Sequence, residues 1–326
     1  MLFNWGSTLL AAIFSASLTA AFENPVREPA PDPSLVFADG TYHLTFTSYN
    51  RITIVRSNTL SGLPNGEQKT IWTDTNTTPA TQASRAATAA PRVFCEDATP
   101  LAPTIANQHL ADLIPPEGSR GGLDDNFAFS IDGTFLEVPG FGRYHVLSIR
   151  DNEFNQALAI TQLDTDSWTV GAWHVISIPD QPWERNITGA NPPPCDDLVG
   201  VNEALHPLYH GDDIWLCYSA SNCATPNYSL GLLHWNGGDP LLKSSWDKTG
   251  PVFSQANGLY GTGHNSFFTS PDGTEIWNAF HATRNSAGSC GGDRFTSAQI
   301  VTFDENNNPN FGVPQPLGEI LTPPSG

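Results

Sequence analysis

The chain has 326 residues and carries 14 Lys and Arg against 33 Asp and Glu, which gives a formal net charge of −19 at pH 7. This acidity argues against nucleic acids and anionic membranes as partners, because both require a basic protein face. It is compatible with a neutral polysaccharide. About 300 residues remain after an N-terminal leader, a length within the range of one large all-β domain.

Residues 1–20 form an apolar run that is too short to span a bilayer and ends in small residues, Leu18-Thr19-Ala20. We interpret this run as a secretory signal peptide. The mature protein, residues 21–326, is then expected to be extracellular and to form a single domain. Three glycosylation sequons, which begin at Asn76, Asn186 and Asn227, agree with secretion.

The segments 42–47, 51–56 and 144–149 alternate apolar and polar residues, which predicts strands. Asp-Gly pairs at 39–40, 132–133 and 272–273 are typical of turns. Sustained helical periodicity is scarce, so the sequence predicts an all-β fold. Residues 79–122 lack both alternation and turn spacing, and we expect there an irregular loop, a disordered insert or a misread stretch of sequence.

The five cysteines are odd in number, so at least one thiol stays unpaired. Cys217 and Cys223 could bridge locally, or either could reach Cys195 or Cys290, and the sequence leaves this choice open. No Cys or His cluster has the spacing of a zinc site.

Four segments share one plan, in which a polar residue precedes a strand, a turn and a returning strand. They open at Asp32, Asp132, Glu203 and His264. Hairpins repeated at blade-sized spacing predict a β-propeller, in which the starts of the innermost strands converge near the axis. The four side chains can therefore meet in one pocket. Several carboxylates in a carbohydrate-sized pocket suggest hydrolysis of glycosidic bonds.

Six short motifs are spread over most of the mature chain. They are Pro31-Asp32-Pro33-Ser34, Ile131-Asp132-Gly133-Thr134, Val201-Asn202-Glu203, Tyr218-Ser219-Ala220-Ser221 with Leu230-Gly231-Leu232-Leu233, Gly263-His264-Asn265-Ser266-Phe267 and Asn310-Phe311-Gly312-Val313-Pro314. Taken in this order, the motifs resemble glycoside hydrolase family 43, and within it the arabinan-directed α-L-arabinofuranosidases. The resemblance implies a five-bladed β-propeller and an inverting mechanism.

The resemblance assigns Asp32 as general base, Glu203 as general acid, and Asp132 as the residue that raises the pKa of the acid and orients it. An inverting enzyme keeps one carboxylate ionised to activate water and one carboxyl protonated, roughly 6.5–9.5 Å apart. A third carboxylate beside Glu203 disfavours ionisation of Glu203 through like-charge repulsion, which keeps the proton available.

His264 and Arg294 match a histidine and an arginine near the family's pocket, which implies substrate binding. The histidine helps some members to hold calcium or a water cluster, so the resemblance implies no required cofactor but allows a structural calcium at His264. A satisfied polar core residue is the alternative for His264. Arg294 could bond sugar hydroxyls or form a surface ion pair.

The chain departs from the family pattern near the expected site. Residues 79–122 stand where relatives carry a Trp-Ala-Pro-Glu type motif, and Ala204-Leu205 replaces Gly-Pro after the acid. Gly261-Thr262-Gly263 replaces Gly-Pro-Gly, and Asp124 and Asp125 are rivals for the role given to Asp132.

From the resemblance we expect a secreted, monomeric hydrolase that removes α-L-arabinofuranosyl residues from plant cell-wall arabinan or arabinoxylan, with exo release favoured over endo cleavage. The alternatives within the family are a β-xylosidase and a galactan-directed hydrolase. The alternative of another class is a catalytically inactive propeller that binds carbohydrate.

Overall fold

The computed structural model describes residues 21–48, 51–73, 130–150, 155–187 and 200–326. The predicted signal peptide at residues 1–20, the segment 79–122 and the rival carboxylates at 124 and 125 lie outside these ranges. Helix in the described ranges is limited to short 3₁₀ turns at Leu60–Asn65, Pro182–Glu184 and Lys243–Ser245. The rest of the regular structure is strand, which confirms the all-β prediction.

No helix among the described residues is long and apolar enough to cross a membrane.

The strands form four antiparallel units in chain order, named here sheets I to IV. A short parallel pairing of residues 200–201 with 155–156 joins sheets II and III at one edge. Sheet I contains β2 (Ser34–Ala38), β3 (Thr41–Ser48), β4 (Arg51–Ser57) and β5 (Glu67–Thr73). Sheet II contains β6 (Ser130–Val138), β7 (Gly142–Arg150), β8 (Asn155–Asp164), β9 (Thr169–Val170) and β10 (His174–Ser177). The predicted strands at 42–47, 51–56 and 144–149 are parts of β3, β4 and β7.

Sheet III contains β11 (Gly200–His210), β12 (Asp213–Ala220), β13 (Ser229–Trp235) and β14 (Trp246–Phe253). Sheet IV contains β15 (Tyr260–Thr269), β16 (Ile276–Thr283), β17 (Phe295–Phe303) and β18 (Pro309–Asn310). The first strands of the sheets, β2, β6, β11 and β15, contact one another across sheet boundaries. They are therefore the innermost strands of a radial arrangement.

The chain ends meet beside sheet IV. Strand β1 (Phe22–Glu23) pairs with β19 (Ile320–Leu321). Just beyond β1, the amide of Val26 donates to the carbonyl of Thr296, and the amide of Ala30 donates to the carbonyl of Arg294. This pairing fixes the segment that leads into Asp32 against the start of β17.

Apolar cores fill the wedges between neighbouring sheets. Leu35 and Leu44 of sheet I pack with Phe268 and Trp277 of sheet IV. A second core joins sheets II and III, and a third joins sheets III and IV. Because a sheet of this kind buries both faces only against its neighbours, the wedges hold the ring together and set the positions of the innermost strands.

Two of the three predicted Asp-Gly turns occur as expected. Asp39 and Gly40 have φ of 50° and 73° between β2 and β3, as a two-residue hairpin turn requires, and Gly273 has φ of 77° between β15 and β16. The prediction of a turn at 132–133 is wrong, because both residues lie inside β6. There the pairing with β7 slips between Ile131 and Thr134, which marks a bulge.

Candidate active site

The four positions singled out by the repeated plan share one backbone irregularity. Asp32, Asp132 and His264 have φ of 54°, 57° and 47°, and Ala204, directly after Glu203, has φ of 56°. Positive φ is uncommon for residues other than glycine and often marks functional positions. In β6, β11 and β15 the strand register also shifts at this point. Bulges re-aim side chains, and these three bulges turn Asp132, Glu203 and His264 towards one another.

His264 lies between the carboxyl groups. Its Nδ1 is 3.3 Å from Oδ1 of Asp32, and its Nε2 is 3.9 Å from Oδ1 of Asp132. One ligand-type atom each of Asp132, Glu203 and His264 lie within 4.8 Å of one another. The structure therefore brings Asp32, Asp132, Glu203 and His264 into one cluster, although they are far apart in the sequence.

Asp32 is held by cationic and polar groups from sheet IV. Arg294 donates from Nη1 to Oδ1 at 2.6 Å and from Nη2 to Oδ2 at 3.3 Å, while Nδ1 of His281 is 3.1 Å from Oδ1. Burial alone would raise the pKa of Asp32, but Arg294, His264 and His281 outweigh it and hold that pKa well below its usual value. Asp32 is therefore ionised, as a base that activates water must be.

Glu203 has the opposite environment. Its Oε1 accepts a hydrogen bond from Tyr228 at 2.7 Å, and its Oε2 accepts one from Gln156 at 2.6 Å. These two donors favour the ionised form, but burial and the charge of Asp32 raise the pKa of Glu203 to about 7. A carboxyl that still holds its proton near neutral pH is suited to act as a general acid.

Asp132 is linked to Glu203 by charge and by backbone. Its Oδ2 accepts the amide of Ala204 at 2.9 Å, which connects it to the residue after the acid. Burial, then the charges of Glu203 and Asp32, raise the pKa of Asp132 well above its usual value. Asp132 and Glu203 thus repel each other as carboxylates and titrate as a pair.

Arg294 forms an ion pair with Asp32, and this pair is buried, whereas the alternative to sugar binding that the sequence left open was an ion pair at the surface. Nε donates to the carbonyl of Gly291 and Nη2 to that of Cys290, in addition to the bonds with Asp32. A contact of 3.3 Å joins Nη1 to Nδ1 of His281. These contacts hold the guanidinium against Asp32 and against the loop that carries Cys290 and Gly291. The expected binding of sugar hydroxyls by Arg294 stays a prediction.

Several functional side chains have no signal in the sequence. His281, Tyr228 and Gln156 are single polar residues on strands or directly before one, and nothing in their spacing separates them from ordinary core residues. Tyr228 is the middle residue of the sequon at Asn227. A sequon is recognised by its Asn and its Ser or Thr, so this motif gives no role to Tyr228. Only the convergence of the sheets reveals these residues.

A calcium ion does not fit this cluster. Among the described residues, two groups could offer ligands to a metal ion: Asp32, His264 and His281, and Asp132, Glu203 and His264. Calcium takes six to eight oxygen ligands, but the first group contributes two imidazoles and the second contributes one. Arg294 places a fixed positive charge on Asp32, and both oxygens of Glu203 already accept hydrogen bonds. We therefore derive no step through calcium.

The disulfide question left open by the sequence has a partial answer. Cys223 pairs with Cys290, and Cys217 is free and buried. The bridge joins the loop before β13 to the loop before β17. It lies beside the site, because Cys290 is one of the residues whose carbonyl binds Arg294.

Comparison with known proteins agrees with this geometry. Residues 123–309 match the model of Glycosyl hydrolases family 43, and the chain belongs to this family. It is 31% identical over 341 residues to an extracellular exo-α-(1→5)-L-arabinofuranosidase of Streptomyces avermitilis, covering 94% of this chain and 66% of the relative. It is 29% identical over 355 residues to α-L-arabinofuranosidase 43 of Humicola insolens, covering 98% of this chain and 70% of the relative.

The chain thus spans 66% and 70% of the length of these two relatives. Among solved structures, it superimposes on an α-L-arabinofuranosidase of Lactobacillus brevis with a TM-score of 0.67 at 24% identity, covering 91% of this chain and 98% of the other. The fold is the five-bladed β-propeller expected from the sequence, and sheets I to IV are four of its blades.

Proposed function

We propose that this family 43 glycoside hydrolase is a secreted, inverting enzyme that removes α-L-arabinofuranosyl residues from arabinan or arabinoxylan. The observation that carries the proposal is the contrast between two carboxyl groups in one cluster. The pKa of Asp32 is held well below its usual value, whereas that of Glu203 is raised to about 7. Glycoside hydrolysis by inversion requires one ionised carboxylate as base and one protonated carboxyl as acid. The opposed pKa shifts of Asp32 and Glu203 support these two roles.

In the proposed reaction, the carboxylate of Asp32 takes a proton from a water molecule, and the water oxygen attacks the anomeric carbon. Glu203 gives its proton to the glycosidic oxygen as the bond to the leaving group breaks. The arabinose is released with the opposite anomeric configuration. Asp132 and Glu203 repel each other as carboxylates, so the proposal has this pair retain one proton, which Glu203 delivers. Asp132 also accepts the backbone amide of Ala204.

The substrate class rests on the relatives. The Streptomyces avermitilis protein is named an extracellular exo-α-(1→5)-L-arabinofuranosidase, and the Humicola insolens protein an α-L-arabinofuranosidase. The proposal extends these activities, with exo release and secretion, to this chain. His264 is the proposed sugar contact, because 22% of its side chain is exposed at the centre of the cluster.

The test is arabinose release from linear arabinan and from 4-nitrophenyl α-L-arabinofuranoside by the purified protein, compared with 4-nitrophenyl β-D-xyloside and a galactan. Proton NMR of the first product shows the anomeric configuration, and inversion predicts the β form. N-terminal sequencing of secreted protein tests removal of residues 1–20.

Asp32→Asn and Glu203→Gln are each expected to lower arabinan hydrolysis by about a hundredfold to ten-thousandfold. The exposed Glu137→Gln is the matched control and is expected to retain activity. Release of xylose or galactose in place of arabinose would contradict the substrate assignment. Full activity in both site variants would contradict the assignment of the acid and the base, and binding without turnover in the parent protein would indicate an inactive propeller.

A further inference from the structure

Glu203 contacts a side chain that is closed off from solvent. This side chain is Tyr228, which lies directly before β13 and has a relative exposure of 0%. Its hydroxyl is 2.7 Å from Oε1 of Glu203. The phenol has no exposure to water and Glu203 is partly buried, so the hydroxyl of Tyr228 keeps the carboxyl group as its partner.

The ring of Tyr228 also reaches the side of the site that holds Asp32. It stacks on the ring of His281, with centroids 5.4 Å apart and an interplanar angle of 12°. Nδ1 of His281 is in turn 3.1 Å from Oδ1 of Asp32. One side chain therefore bonds to the acid through its hydroxyl and supports the neighbour of the base through its ring.

The position of Tyr228 is fixed from several directions. A Cβ at Gly263 would lie 2.5 Å from Cε1 of Tyr228, so the ring fills space that only a glycine leaves open. The amide of Gly261 donates to the carbonyl of Pro226 at 3.2 Å, and the disulfide at Cys223 ties the same loop to Cys290. The phenol is held rigidly, as preorganised catalysis requires.

We propose that Tyr228 is a positioning residue of the reaction, which fixes Oε1 of Glu203 for proton transfer and holds the acid at a set separation from Asp32. This rests on the proposed function, because it takes Glu203 as the general acid. Tyr228 acts through Glu203 and His281 and does not touch the sugar.

The hydrogen bond has a defined chemical effect. The phenol donates to the ionised form of Glu203, and therefore stabilises the carboxylate that remains after the proton has passed to the leaving group. The burial of the phenol among carboxylates raises the pKa of Tyr228 well above its usual value, so it stays protonated and remains a donor. Other charged or titratable groups lie near Glu203 or Tyr228 and also influence the protonation of Glu203. They are Asp32, Asp132, His264, His281 and Arg294.

The experiment compares Tyr228→Phe with the parent protein. The variant keeps the ring and its stacking on His281 but removes the donor to Glu203. Because the lost bond favoured ionised Glu203, the alkaline limb of the profile of kcat/KM against pH is expected to move up by about one pH unit. On arabino-oligosaccharides kcat is expected to fall by about tenfold to a hundredfold, with KM nearly unchanged.

The leaving group separates positioning from general damage. A 4-nitrophenolate leaves without much help from an acid, so the loss in kcat is expected to be several-fold smaller on 4-nitrophenyl α-L-arabinofuranoside than on the oligosaccharide. Tyr218→Phe is the matched control. Tyr218 is equally buried and donates to a different carboxylate, Glu184, at 2.8 Å. Its loss is expected to lower Tm without moving the alkaline limb.

An unchanged alkaline limb, or equal losses on both substrates, in folded Tyr228→Phe would overturn the proposal. Glu203→Gln tests the proposed function separately. If this variant loses the same activity on the oligosaccharide and on the 4-nitrophenyl substrate, Glu203 is not the general acid and the proposed function fails. Failure of the Tyr228 proposal can therefore be told apart from failure of the proposed function. Should Tyr228→Phe not fold, 3-fluorotyrosine incorporated at position 228 supplies a stronger donor of nearly the same size. It is then expected to move the alkaline limb to lower pH, and an unmoved limb overturns the proposal.

Discussion

The guanidinium of Arg294 lies 2.6 Å from Oδ1 of Asp32, although 262 positions separate the two residues in the chain. The proximity arises because Ala30 and Thr296, close to each partner, are bonded to each other: Oγ1 of Thr296 donates to the carbonyl of Ala30 at 2.7 Å. The N-terminal segment thus places Asp32 next to Arg294, which is held at the start of β17. The charge state of Asp32 depends on this junction.

Replacing Arg294 with Gln removes that cation. The pKa of Asp32 is expected to rise, because burial then acts against ionisation with only the histidines opposing it. The acidic limb of the profile of kcat/KM against pH should move to higher pH, and the alkaline limb should move less. Measurement of the full profile tests this expectation.

Stability gives a second measure of the same substitution. A carboxyl whose folded-state pKa is depressed contributes stability above its unfolded pKa, and that contribution is lost as the pH falls through the folded value. In Arg294→Gln the free energy of unfolding should therefore vary less between neutral and acidic pH than in the parent. The exposed Arg143→Gln is the control and should behave as the parent does. An unmoved acidic limb would show that Arg294 does not set the charge of Asp32.

Asp132→Asn tests the repulsion between Asp132 and Glu203. The amide oxygen can still accept the hydrogen bond from the amide of Ala204, so the backbone arrangement is preserved. Without the neighbouring negative charge, the pKa of Glu203 should fall, and the alkaline limb should move to lower pH.

The direction of this shift is opposite to that expected for Tyr228→Phe. Asp166→Asn, a change to an exposed carboxylate, is the control. A limb that stays in place in Asp132→Asn would mean that Asp132, and not Glu203, holds the shared proton in the parent protein.

The repeated hairpin plan made part of the site predictable from the sequence. Asp32, Asp132, Glu203 and His264 were singled out because each was expected to open an innermost strand, and the structure brings all four together. Asp32 does precede β2, whereas the other three lie inside β6, β11 and β15. The backbone detail was not predictable. Asp132-Gly133 has the sequence of a hairpin turn, but the pairing of β6 with β7 continues past it and converts the pair into a bulge.

The supporting residues could not be found from the sequence for a different reason. The role of Arg294 depends on a contact with a residue 262 positions away, and its guanidinium is held by carbonyls and a carboxylate that only the fold brings near. His281 lies on β16 and Tyr228 lies directly before β13, and the pattern of these segments predicts burial but not partners. Local pattern gives the face of a strand, whereas partners depend on how the sheets pack.

Ala204 has a strained conformation that a substitution can relieve. Its φ of 56° is costly for alanine, by about 1–2 kcal/mol, because the Cβ crowds the backbone in this conformation. Ala204→Gly is expected to raise the free energy of unfolding by about 0.5–1 kcal/mol after the larger entropy of unfolded glycine is subtracted.

Thermal unfolding measures the effect of this substitution. Activity should be retained, since the amide that bonds to Asp132 remains. The control, Ala220→Gly, changes a fully buried strand residue with ordinary backbone angles, and it should destabilise the protein. A loss of stability in Ala204→Gly would show that the methyl group contributes more by packing than the strain costs.

The buried ion pair between Lys248 and Glu184 is expected to contribute strongly to the free energy of unfolding. Lys248 donates to Glu184 at 2.9 Å, and Glu184 is fully buried and also accepts from Asn202, the residue before Glu203. Lys248→Met leaves that carboxylate without its cation and is expected to cost about 3–5 kcal/mol of unfolding free energy. Lys243→Met, which removes an exposed pair with Asp180, should cost about 0–1 kcal/mol. Equal Tm values for the two variants would contradict this account.

The Cys223–Cys290 disulfide should affect the base as well as stability. It closes a loop with a sequence separation of 67 residues, and its loss is expected to cost about 2–4 kcal/mol of unfolding free energy. The carbonyl of Cys290 and that of Gly291 both bind Arg294, so loosening this loop should disturb the cation next to Asp32.

The double variant Cys223→Ser, Cys290→Ser is therefore expected to lower Tm and to move the acidic limb of the activity profile to higher pH, in the same direction as Arg294→Gln. Cys217→Ala, which removes the free buried thiol, is the control and should leave the acidic limb in place. Combining the double variant with Arg294→Gln gives the decisive comparison. If the bridge acts through Arg294, the two shifts of the acidic limb will not add, whereas additive shifts would show that the loop reaches Asp32 by another route.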